Sequence, residues 1–394
     1  MAVKGIFVSD AGALQERDTG LNSTILRRQR GGSVPFFALS SGMKSENATA
    51  AVVTWHEEGL KTSRFVVVAV PDPVGNVLIV EDASAILENT VFMIEATGEY
   101  VMTLAVAGNM LTVQRNIGGS GLFPIVVGGP EVGMQRIGTS FEEGSERPGA
   151  VASNPFPRTN QCQIFRNAWD ITGTAMATQY RFGSRLSRNK SEAAMCHAED
   201  IERSLLWGRS HIGVVNNKPQ RLMDGVIAQL RTNFFASPAG GLTRRSLTDY
   251  VERLFSVNIQ GASNERITFC GNVAARALEE IIRRYSVYHV ELPDNEWGLR
   301  VMRYVTPFGN LTLLIHPMFN ESPVWSQQLI SLHPAAMTMV WLRRTFEQDG
   351  DEQGKASNLR DATSGVFTSE LTVKYGVEQT GAVMEDVTVD HYVV

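Results

Sequence analysis

Between Thr159 and Gly208 a polar, extended phrase runs straight into the longest single-faced helical pattern of the chain. Asn189, with Glu192 three residues later, has the make-up of a capping box. Ala194, Ala198, Ile201 and Leu205 then recur at steps of four, three and four, which places them on one helical face. Gly208 stands where a left-handed C-cap belongs. The pattern predicts a helix of roughly 18 residues, about 27 Å long. Residues 161–178 before it, with Gln163-Ile164-Phe165-Arg166-Asn167, read as strand. A strand feeding such a helix is a strut, and its apolar face stays wet unless other elements pack along it.

With 394 residues the chain can supply them, as one large core or as two to three domains. Its 43% hydrophobic and 20% charged residues describe a folded protein. A net charge of −5 leaves no global basic footprint for nucleic acid. No apolar run approaches the roughly 18 to 20 residues of a membrane span, and residues 1–30 hold no secretory signal. Three scattered cysteines, Cys162, Cys196 and Cys270, suit a reducing compartment better than a disulfide framework.

Residues 1–34 are polar and weakly periodic and read as an extended arm. Residues 35–62 read as a long two-stranded excursion. Residues 64–138 form the clearest β block. Strands are predicted at 65–70, 77–80, 90–96, 100–106 and 110–115, with a weaker one near 125–127, as in a small barrel or sandwich. Gly108-Asn109 marks a hairpin and Gly75-Asn76 another turn. Residues 139–159 read as loop. Further on, a helix is predicted around Leu247–Phe255 capped by Thr243 or Ser246, then a buried strand at 267–270. A helix at 272–286 and strands at 300–306 and 310–315 complete a compact α+β unit. The clean alternation of 367–375 adds a C-terminal strand that pairs back onto an earlier sheet.

No motif carries chemistry. Gly118-Gly119-Ser120-Gly121 lacks the Lys of a phosphate loop, the third Gly of a dinucleotide site and the second Gly of a nucleophile elbow, so it reads as a turn. No pair among the seven histidines has zinc-helix spacing, and no cofactor or metal is expected. His197 reads as a solvated helix position or a contact with a neighbouring element. Trp55, Phe165 and Trp169 lie in extended segments and read as core, or as groups buried against neighbouring copies. An arm, a β excursion, a strut and an α+β unit without a catalytic motif suggest a structural protein that binds itself.

The phrases Val34-Pro35-Phe36-Phe37-Ala38-Leu39, Val80-Glu81-Asp82-Ala83-Ser84 and Gly108-Asn109-Met110-Leu111-Thr112-Val113 sharpen this. So do Glu142-Glu143-Gly144-Ser145, Gln163-Ile164-Phe165-Arg166-Asn167 and Ile201-Glu202-Arg203-Ser204-Leu205-Leu206-Trp207-Gly208. The last is Ser364-Gly365-Val366-Phe367-Thr368-Ser369-Glu370-Leu371-Thr372-Val373. In this order and spacing the chain resembles the major capsid proteins of tailed bacteriophages, closest to the branch with a β-module inserted in the extended loop.

That resemblance implies an α+β chain with the Hong Kong phage-type capsid fold. Residues 1–34 would be the N-terminal arm and 35–159 the extended loop, carrying a small barrel or sandwich at about 64–138. Residues 160–212 would give the peripheral domain its strand and spine helix, 213–334 the axial domain, and 335–394 the return to the peripheral domain. Such chains assemble as hexamers and pentamers into an icosahedral shell around double-stranded DNA, in a virion put together in the host cytoplasm. The implied partners are further copies of the chain, with scaffolding, portal and decoration proteins as candidates; no membrane is involved. The arm before Pro35 is too short for a large internal scaffolding segment, so scaffolding would be a separate protein. Glu142, Glu143, Arg158 and Arg166 are the expected subunit-interface residues, being charged and beside elements that would touch neighbours. Competing readings are a decoration, portal or tail component, an encapsulin-like compartment shell, and a hydrolase with a β accessory domain. The last requires a nucleophile motif that the glycine string does not supply.

Overall fold

A computed structural model describes residues 44–59, 63–127, 131–150, 154–178, 184–259, 261–285, 290–296, 299–349 and 361–389. The expected arm and the Pro35–Leu39 phrase lie outside them. The chain forms two compact units, one of residues 56–157 and one of the segments before and after.

The strut is real, and longer than its pattern. Helix α2 runs Arg185–Trp207, after a short helix α1 (Gly173–Ala177). Its N-cap is Ser184, whose side chain accepts from the Ser187 N–H, so Asn189 is an interior position and its capping box with Glu192 does not form. Asn189 instead donates to the Asp170 carbonyl at 3.0 Å. The buried stripe is His197, Ile201, Glu202, Leu205 and Leu206, whereas Ala194 is exposed. Gly208 is not left-handed: its φ of −54° and ψ of 150° turn the chain outward. Glycine is required there for space, because a Cβ would sit 2.7 Å from the Met223 carbonyl.

The helix packs on a four-stranded sheet of order β1 (Lys44–Asn47), β19 (Met337–Asp349), β20 (Ala362–Tyr375) and β10 (Gln163–Thr172). β10 ends at Thr172, whose side chain caps α1, so the predicted strand over 161–178 stops short. Alternation along β10 buries Phe165, Trp169 and Ile171, with Arg166 outward. Trp55, Phe165 and Trp169 are therefore core of this chain. His197 is buried too, bonded to Asn167 Oδ1 and Ser369 Oγ, both at 2.7 Å, so it is a contact and not a solvated position.

The second sheet has seven strands, in order β13 (Phe234–Ala236), β21 (Ala382–Glu385), β18 (Leu329–Leu332), β14 (Glu265–Cys270), β17 (Asn310–Ile315), β16 (Leu299–Val305) and β15 (Val290–Glu296). β14 lies between a parallel and an antiparallel neighbour, and five of its six residues are buried. Helix α4 (Arg244–Phe255) starts at Thr243, which exchanges capping bonds with Ser246. It packs with α5 (Asn272–Tyr285) into one apolar cluster around Tyr250, Leu254, Leu278 and Leu329. Each fully buried Leu contributes about 1.5–3 kcal/mol. β19 and β20 belong to the sheet on which α2 packs, whereas β21 does not. It pairs with β13 and β18 in the seven-stranded sheet, and its neighbour Val387 is buried there. A Phe165–Leu371–Phe269–Ile330 core joins the two sheets.

The other unit is a closed six-stranded barrel, in order β3 (Arg64–Ala69), β4 (Val77–Val80), β7 (Met110–Gln114), β6 (Tyr100–Ala107), β5 (Thr90–Ile94) and β8 (Val132–Thr139). Closure removes every exposed edge. Five strands match expectation. The sixth does not: residues 125–127 are loop, and β8 closes the barrel instead. Gly133 and Gly138 hide β8 from a β-propensity reading; a Cβ at Gly133 would meet the Glu95 carboxylate and the Arg64 guanidinium that pair across it, so those two side-chain ends would have to shift. Gly108, at a φ of 59°, supplies the first central residue of the β6–β7 hairpin. The chain passes between the units through β2 (Val52–Glu57) and β9 (Phe156–Gln161), which pair with each other.

Candidate assembly interface

The last β element is a two-stranded hairpin, β11 (His211–Val215) and β12 (Lys218–Leu222), projecting just after α2. Asn216 and Asn217 have φ of 49° and 60°, the pair of positive values a tight hairpin turn demands. The hairpin is absent from the sequence reading, although Asn-Asn between alternating residues was its signal. Half of its exposed residues are apolar: Ile212, Val214, Val215, Pro219 and Leu222. Ile212 and Val214 are 57% and 71% exposed. They share one face with their register partners Arg221 and Pro219. A lone two-stranded ribbon with an apolar face is marginal in water.

The base of the hairpin, by contrast, is pinned. Gly225 N–H donates to the Gly208 carbonyl at 3.0 Å, closing the neck. Asp224 accepts from the Ser210 N–H at 2.7 Å and Gln163 accepts from the Met223 N–H at 3.1 Å. β10 stops pairing with β20 at Leu371, leaving the Val373 carbonyl to be met by Asn160 and Gln229 side chains, at 2.8 and 3.1 Å. Gln229, at the end of the one-turn helix α3 (Val226–Gln229), also accepts from Tyr375 N–H, while Asn160 and Gln229 both bond the Asp224 carbonyl. One amide cluster thus replaces the missing strand and holds the hairpin's root. Gly225→Ala would push a Cβ to 2.7 Å from the backbone at Gly208 and Leu206. We expect it to cost about 1–3 kcal/mol, with faster proteolysis between residues 208 and 225 as the readout.

The four expected interface residues fall in different places. Glu142 and Glu143 are exposed in a turn after β8, in the 56–157 unit, with Gly144 at a φ of 80°. Arg158 is half-buried on β9 and Arg166 is exposed on β10, both in the other unit. Arg166 has no ion-pair partner among the described residues. Nearby, Arg343 bonds Glu370 at 2.7 Å on the same outward face.

No group of three His, Cys, Asp or Glu among the described residues could hold a metal, and no described helix is long and apolar enough to cross a membrane. The glycine string forms a short 3₁₀ turn, with Gly118, Gly119 and Gly121 at positive φ. Its surroundings are loop, not the N-terminus of a long helix.

Both the α+β unit and the closed barrel expose large apolar side chains, on strands as well as on the hairpin and loops. The chain belongs to the SU10 major capsid protein family, whose model matches residues 23–388. It is a structural protein of the phage capsid, located in the virion, and not an enzyme. The major capsid protein of Pseudomonas phage PaMx41 is 27% identical over 387 residues, covering 96% of this chain and 90% of that one. Among solved structures, one from Microbacterium phage Oxtober96 is similar at a TM-score of 0.46, with 10% identity over 97% of this chain and 98% of that chain. The holo-SrpI encapsulin complex of Synechococcus elongatus gives 0.44, with 10% identity over 61% of this chain and 80% of that chain.

Proposed function

We propose that the chain assembles as hexamers and pentamers into an icosahedral shell enclosing double-stranded DNA. α2 would be the spine of a peripheral domain, the seven-stranded sheet the axial domain at each capsomer centre, and the barrel an outer module. The observation that carries this reading is the β11–β12 hairpin, pinned at its root, whose Ile212 and Val214 are 57% and 71% exposed. Ring-closing contacts between identical chains would cover it, because one surface then meets a different surface on the next copy. A net charge of −5 fits a container for DNA, since tight DNA binding needs many phosphate-neutralising cations. Scaffolding, portal and decoration proteins would be separate chains acting on this shell.

Glu142 and Glu143 of one copy would face Arg158 and Arg166 of neighbouring copies. Arg166→Glu is expected to lower shell yield at least about tenfold, the effect of about 1.4 kcal/mol per contact, while monomer solubility is unchanged. Glu142→Arg with Glu143→Arg in the same chain is expected to restore part of that yield. Sedimentation of lysates reads both, and normal shell yield from the single variant contradicts the pairing. DNA enclosure is tested by nuclease treatment of particles from infected cells: protected genome-length DNA supports it, and fully digested DNA in closed shells refutes it.

A further inference from the structure

Residues 209–222, the β11–β12 hairpin and its approach from α2, hold three cations, Arg209, Lys218 and Arg221, and no carboxylate. None of the three is ion-paired among the described residues. The carboxylate next in sequence, Asp224, sits at the root and accepts from the Ser210 N–H at 2.7 Å. Arg221, half-buried, stands across from Ile212 in the register, and Lys218 closes the turn opposite Val215. One face of the ribbon thus carries Ile212, Val214 and a guanidinium, with an ammonium at the tip. In a chain of net charge −5 this is a local reversal of sign. Such a ribbon fits an acidic surface that also offers an apolar group.

The barrel has one. Its far end is stapled internally: the buried Arg115 bonds Glu99 at 3.0 and 2.6 Å and also the Pro73, Gly75 and Phe123 carbonyls. Its near end, where the chain enters and leaves beside Arg64 and Thr139, is built from loops 81–89 and 140–150. These loops lie together. Ser140 N–H donates to the Asn89 carbonyl at 3.0 Å, and a Cβ on Gly149 would stand 3.7 Å from Leu87. The first loop is fixed, with Ala83 and Ile86 in the barrel core and the Asn109 side chain on the Glu81 carbonyl at 2.9 Å. Together they hold six carboxylates, Glu81, Asp82, Glu88, Glu142, Glu143 and Glu146, against Arg147 in the loops and Arg136 on the adjoining strand. All six are exposed, and none is ion-paired among the described residues. Elsewhere carboxylates are commonly neutralised in place, as Glu95 and Glu131 are by Arg64, and Glu199, Asp200 and Glu321 by Arg203. Phe141, 38% exposed, supplies the apolar group.

We propose that the β11–β12 hairpin of one copy docks on this acidic end of the barrel of a second copy, with Lys218 and Arg221 against the carboxylates of Glu81, Asp82 and Glu88. The proposal rests on the shell reading above. It widens the pairing of Glu142 and Glu143 with Arg158 and Arg166, because β9, which carries Arg158, also carries Asn160, whose side chain holds the hairpin root at the Asp224 carbonyl. The two surfaces differ, so the contact is heterologous and can run around a ring of copies. The charges set orientation and register, while Ile212, Val214 and Phe141 leave water. Nucleic acid would satisfy the cations but leave the aliphatic side chains wet.

The test uses the full-length chain. Particles assembled from a mixture of unlabelled and heavy-isotope-labelled chains are treated with a carbodiimide, which joins an amine to a carboxylate it touches. Mass spectrometry is expected to find Lys218 joined to Glu81, Asp82 or Glu88 in mixed-isotope pairs. Particles in which Lys218 is joined only to carboxylates elsewhere, or to none, overturn the inference and leave the shell reading intact. A parent chain that forms no particle under any assembly condition overturns both. Charge reversal gives an independent reading. Glu81→Lys with Glu88→Lys, and Lys218→Glu with Arg221→Glu, are each expected to lower shell yield at least about tenfold with unchanged thermal unfolding. All four changes in one chain are expected to recover most of that yield. Lys218→Glu alone, at an exposed turn position, repeats the test if the Arg221 change unfolds the chain. A folded combined variant that does no better than the worse pair overturns the contact. Normal shells from the Lys218 and Arg221 variant that hold less DNA also overturn it, and assign the hairpin to nucleic acid.

Discussion

Aspartate at both Ile212 and Val214 is expected to abolish shell formation while leaving the chain folded. Both side chains project from one face of the β11–β12 hairpin and are mostly exposed, so the isolated chain loses little by the change. Surface substitutions of this kind usually shift stability by within about 0.5 kcal/mol. In the proposed shell that face is covered. The carboxylate introduced at position 214, opposite Pro219, then costs several kcal/mol to desolvate unpaired, whereas the one at 212 lies opposite Arg221. The cost recurs in every copy. The neck built from Gly208, Gly225, Asn160 and Gln229 prevents the hairpin from swinging away to avoid it. Thermal unfolding of the soluble variant and particle counts by electron microscopy separate the two effects. Normal particle numbers would show that this face stays in water.

Glu99→Gln is expected to destabilise the barrel by about 3–5 kcal/mol, because it leaves the Arg115 guanidinium buried without its charge partner. Replacing both, Glu99→Leu with Arg115→Met, is expected to cost less than either single change, although the Pro73, Gly75 and Phe123 carbonyls lose their donor. The pair also sets a direction with pH. Burial alone would raise the Glu99 carboxyl, but the Arg115 bonds and the Asn116 and Phe123 N–H groups outweigh it and hold it below the usual carboxylate range. A depressed carboxylate stabilises fully above its unfolded value of about 4.3. That contribution is lost as pH falls through the lower folded value. Hydrogen exchange at 71–76 and 116–127 reads all of this. Wild-type protection there should fade below about pH 4, and the Gln variant should lack it already at neutral pH. Equal protection in the two chains would remove the staple from the account.

The parts legible in the sequence are those whose side chains report their surroundings. Five barrel strands, α4, α5 and β14 carry apolar periodicity or buried runs, and they lie within a few residues of expectation. The first turn of α2 was missed because Arg185–Asn189 holds a single apolar residue, Leu186, and one residue defines no helical face until Ser184 is seen to cap the turn. β8 was missed because two glycines lower its β-propensity; one of them, Gly133, lies under the Arg64–Glu95 pair, a long-range contact that the local sequence does not display. β21 is four residues long, and nothing local says which of two sheets it joins. Glu142, Glu143, Arg158 and Arg166 could be named as charged, but whether a charge is paired within its own chain is a tertiary fact. The hairpin is readable in principle from Asn216-Asn217, although Pro219 within β12 weakens the local strand signal. An edge of a two-stranded ribbon tolerates a proline, which a central strand does not.

Negative-stain electron microscopy of the recombinant full-length chain, across protein concentration and with crowding agent, tests the central claim most directly. Closed polyhedra, tubes or six-fold rings are the predicted result. A uniform monomer or dimer under every condition, persisting when the chain is co-expressed with the neighbouring viral genes, would contradict it.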